Sequence, residues 1–254
     1  MADKWNQGAR SVPLAGSTVD VTIDQGLRSY MIKVYNLMAG GLAITGIAAY
    51  VMFTMSVVTN ANGDITALTP LGQTVFGSPL KWVLMFAPLA MVMFLSFRVH
   101  KMSVAAAQAT FWGYAALVGL SLSTIFMVYT QQSIVQVFFV TAASFGALSL
   151  FGYTTKRDLS AWGSFLFMGV IGIIIASVVN IFLASSALAF AISAIGVLVF
   201  AGLTAYDTQQ IKEMYYEGDG SAVMGRKAIM GALRLYLDFI NMFMFLLQLF
   251  GSRR

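Results

Sequence analysis

Ten acidic residues occur in the chain, and two of them, Asp207 and Asp238, interrupt apolar runs (187–209 and 228–250) that otherwise suit a membrane interior. The other eight lie in the N-terminal arm or in loops. A carboxylate at mid-helix in lipid costs roughly 2.5–3.5 kcal/mol on insertion scales, so each of these two acids needs a buried partner or a task. Together they suggest one. At a separation of about 4 Å and an effective dielectric near 20, two carboxylates repel by about 4 kcal/mol and would hold one proton between them near neutral pH. Ionised, the same pair is a hard, oxygen-rich site that suits calcium. The pair therefore has the chemistry of a proton sensor and of a cation site.

The elements that carry the acids must bring them together. Asp207 shares a helix face with Phe200, Gly196, Ser193 and Ala189, because offsets of 7, 11, 14 and 18 residues return nearly to one angle at 3.6 residues per turn. That face is small and polar, as close helix packing requires. Asp238 shares its face with Gly231, Arg234, Asn241 and Phe245, a polar stripe that must face the bundle interior. A turn in the stretch GDGS (218–221) makes the two helices an antiparallel hairpin. At 1.5 Å per residue Asp207 lies about 8–12 Å from the loop end of its helix and Asp238 about 17 Å from Arg226 and Lys227, so contact requires tilt or stagger. A local alternative exists. Arg234 precedes Asp238 by four residues and is a possible counter-ion, although Arg ahead of an acid is the poorer orientation. Asp207 could likewise pair with Arg98 or sit at the interface.

Composition fixes the class. With 59% hydrophobic and 10% charged residues and a mean hydropathy of +0.80, the chain is an all-α polytopic membrane protein rather than a soluble globule. Seven runs reach the roughly 20 residues that cross a bilayer core: 35–58, 80–97, 105–129, 134–153, 161–183, 187–209 and 228–250. They are continuously apolar and too long for barrel strands. Residues 1–30 form a polar N-terminal arm, expected to be disordered until Asp24 caps a helix leading into the first span, and residues 31–254 form the transmembrane domain. The absence of cysteine excludes thiolate chemistry, and one histidine, His100, does not make a histidine metal site. Asn180 is expected to donate an interhelical hydrogen bond.

Lys and Arg alternate from loop to loop. Four fall in residues 1–33, none in 59–79, two in 98–104, none in 130–133; then come Lys156 and Arg157, none between spans five and six, and Lys212, Arg226 and Lys227. The positive-inside rule places the N-terminus and every even-to-odd loop in the cytoplasm. Seven spans then put Arg253 and Arg254 on the periplasmic side, against the rule, unless the last segment is re-entrant. The basic residues flank membrane ends and form no patch for nucleic acid.

AYDTQQIK (205–212) followed by LYLDFINMFMFLLQLFG (235–251) resembles the paired signature on the last two helices of the Bax inhibitor-1 family, also known as the transmembrane Bax inhibitor motif or YccA-like family. KRDLS (156–160), VVNIF (178–182) and VGLSLSTIF (118–126) are similar to its other helices, and the likeness runs from about Tyr35 to the end. The resemblance implies a bundle whose seventh helix is central and wrapped by the other six. It also implies a pH-sensitive calcium leak gated by an aspartate pair, here Asp207 and Asp238, with a second-helix arginine, here Arg98, latching onto the first acid in the closed state. Arg234 departs from the small residue expected at its position. No cofactor beyond calcium as the transported or bound ion is implied; the short loops and the lack of a targeting peptide suggest a bacterial inner membrane rather than an organelle.

Two other functions compete. Diaspartyl intramembrane proteases also carry Tyr-Asp on one helix, as Tyr206 and Asp207 do, but Leu235, Tyr236 and Leu237 stand where they have Gly-x-Gly. No nucleophile elbow, P-loop or metal-binding histidine pair occurs, so no enzyme is expected. Some bacterial relatives are regarded as modulators of a membrane-bound AAA protease, which makes the polar arm a potential handle for such a partner.

Overall fold

Lipid offers no hydrogen bonds to a backbone, so each apolar run satisfies its own peptide groups as a helix. A computed structural model describes residues 15–60 and 64–254, with side chains from Gln25 onward. The elements are α1 (Ala15–Ser56), β1 (Val57–Thr59), β2 (Ile65–Leu68), α2 (Pro70–Phe76), α3 (Leu80–Arg98), a 3-10 turn (Val99–Lys101), α4 (Val104–Leu122), α5 (Ile125–Val128), α6 (Gln131–Thr154), α7 (Ser160–Leu183), α8 (Ser186–Glu213) and α9 (Ser221–Phe250). Seven stretches among the described residues are long and apolar enough to cross a membrane, with α4 and α5 forming one of them. Hydroxyl side chains start several: Ser103 accepts from Ala106 N–H, Thr130 from Ser133 and Ser185 from Leu188, each satisfying a donor of the first turn.

α9 is the hub. Of its apolar window 61% is buried, against no more than 39% in any other span. α1, α4, α6 and α8 pack directly on it, while α3 lies behind α4 and α7 behind α8, so the six enclose it in two shells. At its centre Tyr236 is wholly buried, edge-on to Phe111 and Tyr114 at 5.8 and 5.7 Å. Its hydroxyl lies 2.6 Å from Thr45 Oγ1. Thr45 is itself 3.0 Å from Gly41 O and 2.9 Å from Ala115 O, which can only accept, so the Tyr236 hydroxyl is the donor to Thr45.

Two details differ from the sequence reading. α1 begins at Ala15, so Asp24 lies within the helix instead of capping it; residues 17–25 contain neither Gly nor Pro to stop the helix there. Residues 1–14 of the expected arm lie outside the described residues. Asn180 does not bridge helices: its Oδ1 accepts from Ser185 N–H at 3.0 Å and closes the left-handed turn at Ala184 (φ 49°) between α7 and α8. The loop after the first span is also structured, with β1 and β2 paired antiparallel and α2 beyond them.

The bundle has two unlike ends. One carries the basic loops around Lys101, Lys156, Lys212 and Lys227; the other carries the β-hairpin. At the hairpin end the chain terminus is tied to the α5–α6 corner: Thr130 N–H donates to Ser252 O at 3.0 Å, Arg254 N–H to Val128 O at 3.0 Å and Ser252 N–H to Ser133 Oγ at 2.9 Å.

Candidate functional site

The register of the α8–α9 hairpin decides whether the acids meet. Ser193 Oγ donates to Gln248 Oε1 at 2.7 Å, the Phe200 and Phe245 rings stack at 5.9 Å, and Ile211 lies over Gly231, where a Cβ would come within 3.0 Å of it. Between these points Asp207 faces the turn of α9 that carries Arg234 and Asp238. The required stagger comes from the connecting loop. Residues 221–227 of α9 run past the end of α8, and residues 214–220 fold back along them. There Lys227 Nζ donates to Met214 O at 2.9 Å and pairs with Asp219, the only ion pair among the described residues. Lys212 Nζ fixes the other side by donating to Tyr153 O at 2.9 Å.

The two carboxyl groups lie within side-chain hydrogen-bonding reach of each other. Asp238 is 4% exposed, and its Oδ2 is buried without a hydrogen-bond partner; Asp207 is half-buried. Arg234 is exposed, and its charge acts on both acids without an ion pair to either. The Tyr30 hydroxyl of α1, also buried without a partner, lies in the field of the same guanidinium. Two of the three orphaned buried polar atoms among the described residues therefore belong to groups in the field of Arg234.

Arg98 is not brought to this cluster. It is exposed at the end of α3, beside the loop in which Met102 O accepts from Arg226 Nη1 at 3.5 Å and Val104 packs on Gly225. Asp238 lies thirteen residues farther along α9 than Gly225, about 20 Å at 1.5 Å per residue.

Sequence reasoning passed over several residues that build the site. Gln209, two residues after Asp207, accepts from Leu159 N–H at 2.8 Å and donates to Arg157 O at 2.8 Å, so the AYDTQQIK and KRDLS stretches dock on each other. Behind Asp207, the hydroxyls of Tyr35, Ser149 and Thr208 form a chain of 2.6 and 2.9 Å that joins α1, α6 and α8. The uncharged polar types carry no signal of their own; only the register reveals their partners.

As a metal site the cluster is sparse. No group of three or more His, Cys, Asp or Glu that could hold a metal occurs among the described residues. Two carboxylates supply at most four oxygens, whereas calcium takes about 6–8, the rest being carbonyls or water. Such a donor set does not by itself complete a calcium site.

The sequence is similar to known proteins along nearly its whole length. A protein of Caulobacter vibrioides is 46% identical over 98% of both chains. The Rickettsia prowazekii protein RP147 is 46% identical over 95% of this chain and 97% of its own. The inner membrane protein YbhL of Escherichia coli K12 is 46% identical over 90% of this chain and 94% of its own. Residues 27–254 match the family model described as inhibitor of apoptosis-promoting Bax1. With its seven membrane-fit helices and this match over most of its length, the chain belongs to the Bax inhibitor-1 family of membrane proteins.

Proposed function

We propose that the protein is a pH-sensitive calcium leak, channel or transporter, of the bacterial inner membrane, set by a proton shared between Asp207 and Asp238. The observation that carries this reading is the approach of two carboxyls from different helices to hydrogen-bonding reach, with one buried oxygen left unpartnered. A hydrogen bond between two carboxyls needs one proton. With that proton present the pair has one negative charge, which the nearby Arg234 offsets. Loss of the proton leaves two like charges in a poorly hydrated place, and the pair must separate or take up a cation. Calcium is the fitting cation by hardness and charge, held loosely because most of its ligands would be water or carbonyl. The inner-membrane location follows the name of YbhL, and the N-terminus faces the cytoplasm by the loop charges.

The test is calcium flux into liposomes holding a calcium dye, followed across about pH 5 to 8. Asn keeps the shape and hydrogen-bonding capacity of Asp while abolishing its titration. Asp207→Asn and Asp238→Asn should each flatten the pH profile, and the double variant should add little to either. Additive changes, or a wild-type profile in both single variants, would leave the acids structural and defeat the proposal.

A further inference from the structure

α1 and α6 both lean on α9 but hardly on each other, and the gap between them holds two cavities placed end to end along the helix axes. The one toward the hairpin end has a volume of about 550 Å³, with Ala43 and Gly46 of α1 and Val135 and Phe138 of α6 as walls and Phe239 and Phe243 of α9 as floor. Thr45 is its only polar side chain, and that hydroxyl is committed to Gly41 O, Ala115 O and Tyr236. A polar ligand would find no partner there, so the compartment suits hydrocarbon. The cavity toward the basic end, about 630 Å³, is different: Arg28, Tyr35, Ser149 and Tyr153 line it beside Met38. Arg28 is exposed and makes no hydrogen bond or ion pair among the described residues. Glycines keep both compartments open, since a Cβ at Gly46 or Gly146 would meet nothing within 4 Å.

We propose that this trough binds one anionic phospholipid, with its phosphate against Arg28 and an acyl chain running past Tyr35 into the apolar compartment. The charge at one end and the hydrocarbon lining at the other match the two parts of such a lipid and the order in which they are joined. The length fits as well. From Arg28 to Ala43 the helix rises about 22 Å, close to half of a bilayer of about 40–45 Å including head groups. A chain seated there would lie on Phe239, next to Asp238, but the lipid site stands independently of what the acids do.

The test uses the full-length protein in nanodiscs of phosphatidylcholine with a minority of phosphatidylglycerol, followed by extraction in mild detergent and native mass spectrometry of the retained lipid. Wild type should keep one phosphatidylglycerol, enriched several-fold over its share of the bilayer. Arg28→Gln should keep a lipid but lose the enrichment. Gly46→Leu, whose side chain starts in open space on the wall of the apolar compartment, should lose most of the retained lipid of either class, and Gly146→Leu makes the same test in the compartment beside Arg28. Thermal melting identifies which variants are folded. Absence of enrichment in the wild type overturns the proposal without recourse to any variant, as does full retention in a folded Gly46→Leu or Gly146→Leu protein.

Discussion

A guanidinium one helical turn from a carboxylate often pairs with it, yet Arg234 is exposed and leaves Asp238 without an ion pair. Side chains lean toward the helix N-terminus, so an arginine placed before an acid leans away from it. Arg234 instead acts at a distance on both acids, while Arg98, the arginine that the family resemblance singles out, is exposed at the end of α3 and is not among the charges that act on them. Two substitutions separate these roles. Arg234→Gln removes the tethered charge and should raise apparent calcium affinity at neutral pH by about tenfold, equivalent to about 1.4 kcal/mol. Arg98→Ala should leave it unchanged, because its charge is exposed, screened by salt and not among those that act on either acid. The reverse result would return the latch to Arg98. Asp158 is a natural control: its Oδ1 accepts from Ser160 N–H at 2.8 Å, and the bonds to Ser160 hold its carboxyl below the usual value of 3.8. A lowered folded value means that its contribution is present above that range and is lost only as pH falls through the folded value. It remains ionised from pH 5 to 8, so Asp158→Asn should reproduce the wild-type pH profile of flux. Asp207 and Asp238 were legible in sequence because charge inside an apolar run is costly. Gln209, Tyr30 and Thr45 were not, since a neutral polar residue costs little until its neighbours are known.

At the scale of elements, the seven spans could be read from hydropathy because helix length and bilayer thickness are coupled by simple geometry. The stagger of α8 against α9 could not, because it depends on the path of residues 214–220 and on the contacts of Lys227 Nζ with Met214 O and Asp219. Close helix approach is the other hidden quantity. At Gly152 a Cβ would come within 2.2 Å of Ala205 O, so the α6 backbone lies almost against that of α8, two residues before Asp207. That contact keeps Ser149 within 2.9 Å of Thr208. Gly152→Ala should force the two helices apart and destabilise the bundle by about 1–3 kcal/mol, the usual range for overpacking. Gly46→Ala, whose Cβ meets open space, should be neutral or slightly stabilising through helix propensity. Thermal melting in one detergent compares them directly. Equal melting temperatures would mean that α6 can retreat from α8 without loss, and that this approach does not position Asp207.

For the molecule as a whole, the question is whether α9 crosses the membrane or turns back within it. Loop charges alone left both open, because Arg253 and Arg254 stand on the side that the positive-inside rule disfavours. The packing points one way. α9 continues without a break for 30 residues, enough for about 45 Å of helix, and needs no tilt to span. Its far end is tied to the hairpin end of the bundle by backbone bonds to Val128 and Thr130, and the Arg254 guanidinium lies 5.9 Å from the Phe53 ring at the end of α1. The basic loops are at the opposite end. The guanidinium of Arg254, one of the two arginines that would otherwise oppose this orientation, is thus held by the Tyr129 carbonyl and an aromatic ring, which offset part of its cost at a membrane face. A reporter inserted after Gly218 and one joined through a flexible linker after Arg254 should therefore read opposite compartments, the first cytoplasmic and the second periplasmic. Replacing Arg253 and Arg254 with Gln should leave both readings unchanged, because the four basic residues before the first span and those of the even-to-odd loops already set the orientation. If both reporters read cytoplasmic, α9 is re-entrant, Asp238 approaches from a half-buried loop rather than a central helix, and the shared-proton site loses the rigid element on which it depends.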